Sequence, residues 1–349
     1  MQTVDADRME ELMGRFVTDL GAAMQAPLMI LGDRLGLYRE LAAEPLGSEE
    51  LARRTGTSER YVREWVRGQA AAGYVSYDQD SDRYFLDPEQ ALLLDAAGPT
   101  FGGFEIALAA GKTAPRLLDA FRTGEGIGWH EHDEGVSCGT ARFFGPGYRT
   151  HLLQQWLPAL EGVEERLRAG ASVADVGCGL GVSTRLVAEA YPASRFVGFD
   201  YHAESVAAAR REAREAGLAE RLEFELARAS DFPGTGYDLV MMFDCLHDLG
   251  DPVGAARHVR QALAEDGTWL IVEPRAGDSV SDNLHPLGRV FYAASTLLCT
   301  PNALSQDPRV ALGAQAGEAA IADVAREAGF TRFRRAAETP FNLIFEVRP

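Results

Sequence analysis

The stretch Val173-Ala174-Asp175-Val176-Gly177-Cys178-Gly179-Leu180-Gly181 joins a short apolar run to three glycines at alternate positions. Without a Cβ, a glycine lets a ligand come against the backbone. A second apolar run ends in Gly198-Phe199-Asp200, where a carboxylate can accept both hydroxyls of a ribose. The spacing is G-x-G-x-G rather than the dinucleotide fingerprint G-x-G-x-x-G, with Val182 where the third glycine of that fingerprint stands. Asp175, two residues ahead of the first glycine, repels a pyrophosphate and suits a cationic amino group. S-adenosylmethionine (SAM) has an ammonium, a sulfonium and no phosphate, so SAM is the expected cofactor rather than NAD.

A third cluster is Asp244-Cys245-Leu246-His247-Asp248-Leu249-Gly250-Asp251. Displacement at a sulfonium carbon is promoted by alignment. An O–H acceptor also needs a base, because a phenol of pKa about 10 is a poor nucleophile at pH 7. His247 is the candidate base, and Glu273 is placed to accept the other imidazole N–H and hold the tautomer. The alternative is a structural loop histidine with Asp251 as a helix N-cap. Trp129, His130 and Tyr148 in an aromatic-rich segment, and His285, Arg289 and Tyr292 further on, are candidates to line a substrate pocket. Ordinary packing is the competing reading. His130 and His132 are two residues apart without a third ligand in view, so no metal site is expected.

The elements that position these groups follow from periodicity. Strands are predicted over 172–176, 195–199, 221–226, 237–243 and 268–273, alternating with helices over 182–191 and 203–217 and one opened by Asp251-Pro252. Two further strands, 331–337 and 341–347, are joined by a turn too short for anything but antiparallel pairing. The expectation is an α/β fold: a doubly wound seven-stranded Rossmann-like sheet with a C-terminal antiparallel hairpin.

Upstream, Met9, Leu12, Met13, Phe16, Val17, Leu20 and Met24 recur at helical spacing. That stripe serves either an internal core or a dimer interface. Pro27 is expected to end this helix and a second to cover 28–43. Helices over 49–55 and 59–73, then strands over 74–77 and 83–86, make a mainly α winged-helix domain. Gly98-Pro99, Gly102-Gly103 and the glycines of 124–128 are read as loops. The expected domains are residues 1–95, a helical connector over 96–168 that lines the pocket, and a cofactor-binding domain over 169–349.

Composition narrows the function. The 349 residues carry 34 Lys and Arg against 52 Asp and Glu, a net charge of −18, and Lys112 is the single lysine. Residues 1–95 hold eighteen acidic residues against ten arginines, and the wing has three aspartates, so the winged helix is not expected to bind nucleic acid. No apolar run approaches the roughly 20 residues that span a bilayer. Four scattered cysteines without C-x-x-C read as free thiols in a reducing cytoplasm.

Together these residues resemble the class I SAM-dependent methyltransferases, in particular bacterial small-molecule enzymes with an N-terminal winged-helix domain. The likeness is carried by the winged helix, Trp129-His130-Glu131-His132-Asp133, the glycine motif, Asp244 to Asp248, the stretch from Arg289 to Ser295, and the terminal hairpin. It implies that Gly177, Gly179 and Gly181 pass under methionine and ribose, with Asp175 near the amino group. Asp200 would hold the ribose and Tyr201 would lie against adenine. Ala229 and Ser230 would read the adenine edge, where Arg228 stands in place of the usual carboxylate. Phe243 and Asp244 would close the methionine side. The resemblance also implies His247 as base with an acidic residue after the next strand, a small aromatic substrate, and a homodimer formed through the N-terminal helices. O-methylation is the first expectation. C-methylation of an activated carbon and a SAM-binding regulator without catalysis are the alternatives.

Overall fold

In the computed structural model, residues 4–349 are described. Contacts divide them into two units: the residues up to 108 with 138–143, and residues 109–137 with 144–349.

The first unit begins with α1 (Ala6–Arg34) and α2 (Leu37–Ala43), then α3 (Ser48–Thr55) and α4 (Glu59–Ala71). An antiparallel pair, β1 (Ser76–Asp78) and β2 (Arg83–Phe85), forms the wing, followed by α5 (Pro88–Leu93) and α6 (Thr100–Gly111). The helix expected to stop at Pro27 runs through it. An interior proline costs one helical hydrogen bond, about 3 kcal/mol. Met29, Ile30 and Gly32 are buried just beyond it and anchor the continuation. A Cβ on Gly32 would overlap the Trp65 and Tyr38 rings, so the close approach of α1 at this point needs a glycine. The real break comes at Gly36, with φ 69°. Gly102 and Gly103, expected in a loop, lie inside α6. A Cβ on Gly102 would stand 2.5 Å from the Phe143 amide nitrogen, so this glycine is a notch for a crossing helix rather than a turn.

The core of this unit gathers Leu37, Leu41, Leu51, Val62, Trp65, Val66 and Phe101. Its buried polar chain is neutral and closed. Tyr38 Oη donates to Gln69 Oε1 at 2.9 Å, and Gln69 Nε2 donates to Gln25 Oε1 at 3.1 Å.

The second unit adds α7 (Ala114–Thr123), α8 (Glu134–His151) and α9 (Val163–Ala169), with a π-helical turn, Leu152–Trp156, continuing from α8. Strand and helix then alternate: β3 (Ser172–Val176), α10 (Val182–Ala190), β4 (Arg195–Asp200), α11 (Ala203–Glu215), β5 (Leu222–Leu226), β6 (Tyr237–Phe243), α12 (Pro252–Ala262) and β7 (Leu263–Pro274). An insertion carries α13 (Pro286–Ala294), a π turn, Ser295–Cys299, and α14 (Thr300–Leu304). The chain closes with α15 (Gly317–Glu327), β8 (Arg332–Glu338) and β9 (Asn342–Arg348).

The sheet order is β5-β4-β3-β6-β7-β9-β8. The first five strands are parallel, and β9 pairs antiparallel with both β7 and β8. The order reverses between β3 and β6, and in such sheets ligands gather at the carboxyl ends beside that reversal. Both faces of the sheet are buried, under clusters centred on Val173, Met241 and Ile344 on one side and Val240, Ile271 and Phe345 on the other. The two edge strands carry charge on exposed positions: Glu223 on β5, and Arg332, Arg334, Arg335 and Glu338 on β8. Among the described residues, no helix is long and apolar enough to cross a membrane.

Candidate active site

The turn between β3 and α10 places Gly177 at φ 76°, Gly179 at φ 51° and Gly181 at φ 72°. Their surroundings differ. A Cβ on Gly177 would press on Cys245 Sγ and one on Gly181 on the Phe224 ring, so those two glycines serve packing. A Cβ on Gly179 meets nothing within 4 Å, so the open space of the turn is here.

Asp175, on β3, is fully buried. Its Oδ2 accepts from Ser183 Oγ at 2.9 Å and Thr184 Oγ1 at 2.6 Å, while its Oδ1 has no partner among the described residues. Burial pushes this carboxyl up to about 6, against the pull of the two hydroxyls. Asp200, at the end of β4, accepts from the Gly179 amide at 2.8 Å and the His202 amide at 2.8 Å, which fixes its carboxylate against the glycine turn. Burial raises this carboxyl too. Tyr201 follows it, with burial raising its phenol.

After β5 the chain turns at 227–231. Arg228 is exposed, and Asp231 Oδ1 accepts from the Arg228 amide at 3.2 Å. The Asp231 carboxylate is thus committed to the turn, beside half-buried Ala229 and exposed Ser230.

The end of β6 holds the second group. Asp244 has φ 49°, a left-handed conformation that Asp tolerates better than most residues. Tyr148 Oη donates to its Oδ2 at 2.9 Å and Asn342 Nδ2 to its Oδ1 at 2.8 Å. Burial, with repulsion from Glu273, raises its carboxyl to about 7. Tyr148 also packs on Phe243, with centroids 5.3 Å apart.

His247 lies in a 3-10 turn, Leu246–Asp248, and its Nδ1 is 2.5 Å from Glu273 Oε2. The other oxygen of Glu273 accepts from the Leu246 amide at 2.9 Å, so the carboxylate is clamped from two sides. His247 and Glu273 are each 3% exposed. Burial opposes the imidazolium, but Glu273 and the Cys299 thiol outweigh it and hold the imidazole pKa well above its ordinary value. Asp248 is raised to about 6 by burial. Asp251 caps α12, accepting from the Gly254 amide at 2.7 Å.

The remaining candidates divide. Trp129 is held by Asp248, Tyr201 and Asn302, and exposed His130 stands edge-on to Tyr201 at 5.9 Å. On α13, His285 is exposed and caps the helix, accepting from the Gly288 amide at 3.1 Å. Arg289 is exposed on the same helix and Tyr292 is 37% exposed. Sequence reasoning missed Asn302, which is 2% exposed and bonded to all three of Trp129, Tyr201 and Asp248. Among the described residues, no group of three or more His, Cys, Asp or Glu is arranged to hold a metal.

Comparison with known proteins shows which domains two segments of the chain match. Residues 167–313 match the family described as methyltransferase domain. Residues 23–95 match the Rv2258c-like winged helix-turn-helix domain. The chain carries a methyltransferase domain behind a winged helix. The chain is also 33% identical over 135 residues to trans-aconitate 2-methyltransferase of Streptomyces avermitilis, covering 38% of this chain and 50% of that protein. The chain thus spans half the length of this curated relative.

Solved structures agree along the whole chain. Mitomycin 7-O-methyltransferase superposes with a TM-score of 0.70 at 20% identity, covering 99% of this chain and 100% of that one. Human N-acetylserotonin methyltransferase, solved with SAM, gives 0.70 at 17% identity, covering 100% and 99%. A methyltransferase of calicheamicin biosynthesis, solved with S-adenosylhomocysteine (SAH), gives 0.64 at 20% identity, covering 99% and 100%. At these identities the likeness is one of fold: a winged-helix unit joined to a seven-stranded methyltransferase sheet.

Proposed function

We propose that this protein transfers the methyl group of SAM to a hydroxyl of a small aromatic metabolite, with His247 as general base. The observation that carries the reading is the buried His247–Glu273 pair, set at the carboxyl ends of β6 and β7 beside the glycine turn. Glu273 holds Nδ1 and would stabilise the imidazolium that forms on taking the acceptor's proton, and the Cys299 thiol, which also bonds the ring, gives way to the acceptor.

The residues present fit SAM. A fully buried carboxylate oxygen without a partner, Asp175 Oδ1, is costly unless a donor arrives, and the cofactor's ammonium is such a donor. Gly179 leaves space for the ribose and methionine, and Asp200 is held ready for the ribose hydroxyls. Tyr201, Ala229, Ser230, Phe243 and Asp244 would complete the cofactor contacts. Bound SAM supplies an electrophilic methyl on a cationic sulfonium, and the buried carboxylates favour a cation in its place.

The winged helix is read as an assembly module rather than a DNA reader. Arg60 pairs with Glu64 at 2.6 Å and Arg63 with Glu59 at 2.6 Å, so two of the three arginines on α4 are matched by carboxylates on the same helix, and Arg67 is exposed. The α1 stripe is open, with Phe16 58%, Val17 59% and Met24 69% exposed, as suits a homodimer interface. The chain is read as working in the cytoplasm, where its four free cysteines stay reduced.

Calorimetric titration with SAM and SAH tests the cofactor. Saturable binding of SAM is expected, and no heat from SAM with intact Asp175 and Asp200 would overturn the reading.

A further inference from the structure

Residues 126–132 cross the methyltransferase unit as a strap, and their hydrogen bonds meet at the site. At its start the backbone lies directly on α14. The Ile127 amide donates to the Pro301 carbonyl at 2.8 Å, and a Cβ on Gly126 would collide with the Ser305 amide. At its far end Glu131 Oε2 accepts from the Gly128 amide at 2.8 Å, Arg116 pairs with Glu131 at 2.5 Å, and Lys112 pairs with Asp133 at 2.7 Å.

Between these anchors stands Trp129. Its amide is shared by Tyr201 Oη at 3.0 Å and Asn302 Oδ1 at 3.2 Å, and its indole N–H donates to Asp248 Oδ2 at 2.5 Å. Asn302 closes the circuit: its Oδ1 also accepts from Tyr201 Oη at 3.2 Å, and its Nδ2 donates to the Asp248 carbonyl at 2.9 Å. Two of the four residues are immediate neighbours in sequence of the site's working groups. Tyr201 follows Asp200 and Asp248 follows His247. The bond from the indole to a buried carboxylate is charge-assisted, the strong kind.

We propose that Trp129 and Asn302 are positioning residues forming a latch: the docked strap closes the ribose side of the cofactor site and at the same time fixes the turn that carries His247. Exchange of cofactor for product then requires the latch to open. This rests on the SAM reading above and adds to it a gate controlled by two residues that do not touch the reacting atoms.

Tryptophan fluorescence reads the latch without any methyl acceptor. Of the four tryptophans, Trp65, Trp156 and Trp269 are buried and Trp129 is half-buried, so acrylamide quenching reports mainly on the strap. In the full-length protein, SAM should protect Trp129 from acrylamide. Asn302→Ala should abolish that protection and raise the SAM dissociation rate about tenfold, the scale of one or two lost neutral hydrogen bonds. Trp129→Phe keeps an aromatic ring in place, smaller than the indole, and removes the indole N–H. It should raise the dissociation rate comparably and carries the test if Asn302→Ala does not fold. If wild type binds SAM but both dissociation rates stay within twofold of it, the latch is wrong and the cofactor reading stands. If wild type does not bind SAM, the cofactor reading falls and the latch with it.

Discussion

The two units treat charge in opposite ways. Among the described residues of the winged-helix unit no charged side chain is buried, and many pair with one another, as Arg142 does with Asp33 and Glu105. Glu50 is held down to about 2 by hydrogen bonds from Arg53 and Arg54, and Glu59 is lowered by Arg63. Its interior polar chain, Tyr38 to Gln69 to Gln25, is neutral. In the methyltransferase unit, Asp175, Asp244, Asp248 and Glu273 crowd the carboxyl ends of the strands, and the first three are raised by burial. Unpaired buried charge lowers stability, so a fold keeps it where a ligand uses it. The first arrangement suits a scaffold, and the second suits a site that receives a cation.

The largest expected effect tests the centre of the second unit. His247→Ala should lower kcat by about 10²- to 10⁴-fold, the usual reach of a general base, while the calorimetric Kd for SAM stays within twofold. Unchanged turnover on a methylated substrate would remove His247 from the chemistry. Next, Asp175→Asn should weaken SAM binding by about ten- to a hundredfold, yet melt at or above the wild-type temperature at pH 7.5. Loss of both affinity and stability would show that the carboxylate serves the fold instead.

The same carboxylates set a pH slope. Asp175 and Asp248 are raised to about 6 and Asp244 to about 7, from an ordinary 3.8. A raised carboxyl binds its proton more tightly when folded. Its favourable contribution is therefore present at low pH and is lost as pH rises from about 4 to 7. The ligand-free protein should lose melting temperature across that window, and Asp175→Asn should lose less. The lowered Glu50 and Glu59 act in the opposite sense, towards acid, and their exposure keeps that effect small.

Two smaller tests address the first unit. Phe16→Asp should convert a dimer to a monomer in sedimentation velocity with its melting temperature little changed. Arg63→Ala should shift melting by less than about 2 °C, as exposed pairs do. A large shift there would break the contrast between the units.

Much of this is legible in the sequence. The alternation over 172–274 shows in the sequence because each strand is a short apolar run bounded by turns, and the terminal pairing follows from turn length. Three features were not legible, for three physical reasons. Pro27 signals a helix end locally, but burial of Met29 and Ile30 overrides it. Gly102 looks like a turn, yet its use is a close approach to Phe143, a residue far along the chain. Asn302 is a plain amide 173 residues from Trp129, and no local pattern announces a hydrogen bond over that separation. The His247–Glu273 pairing was legible because both residues sit at strand ends whose order the motif already implied.

The charged edges of the sheet bear on self-association. An exposed sheet edge recruits further strands, and aggregation starts there unless something blunts it. On β8, Arg335 is paired with Glu318 and Glu338 and Arg334 with Glu346, while β5 presents Glu223. A second copy arriving at either edge would have to strip water from these groups. Edge-to-edge fibril growth is therefore disfavoured at both ends of the sheet.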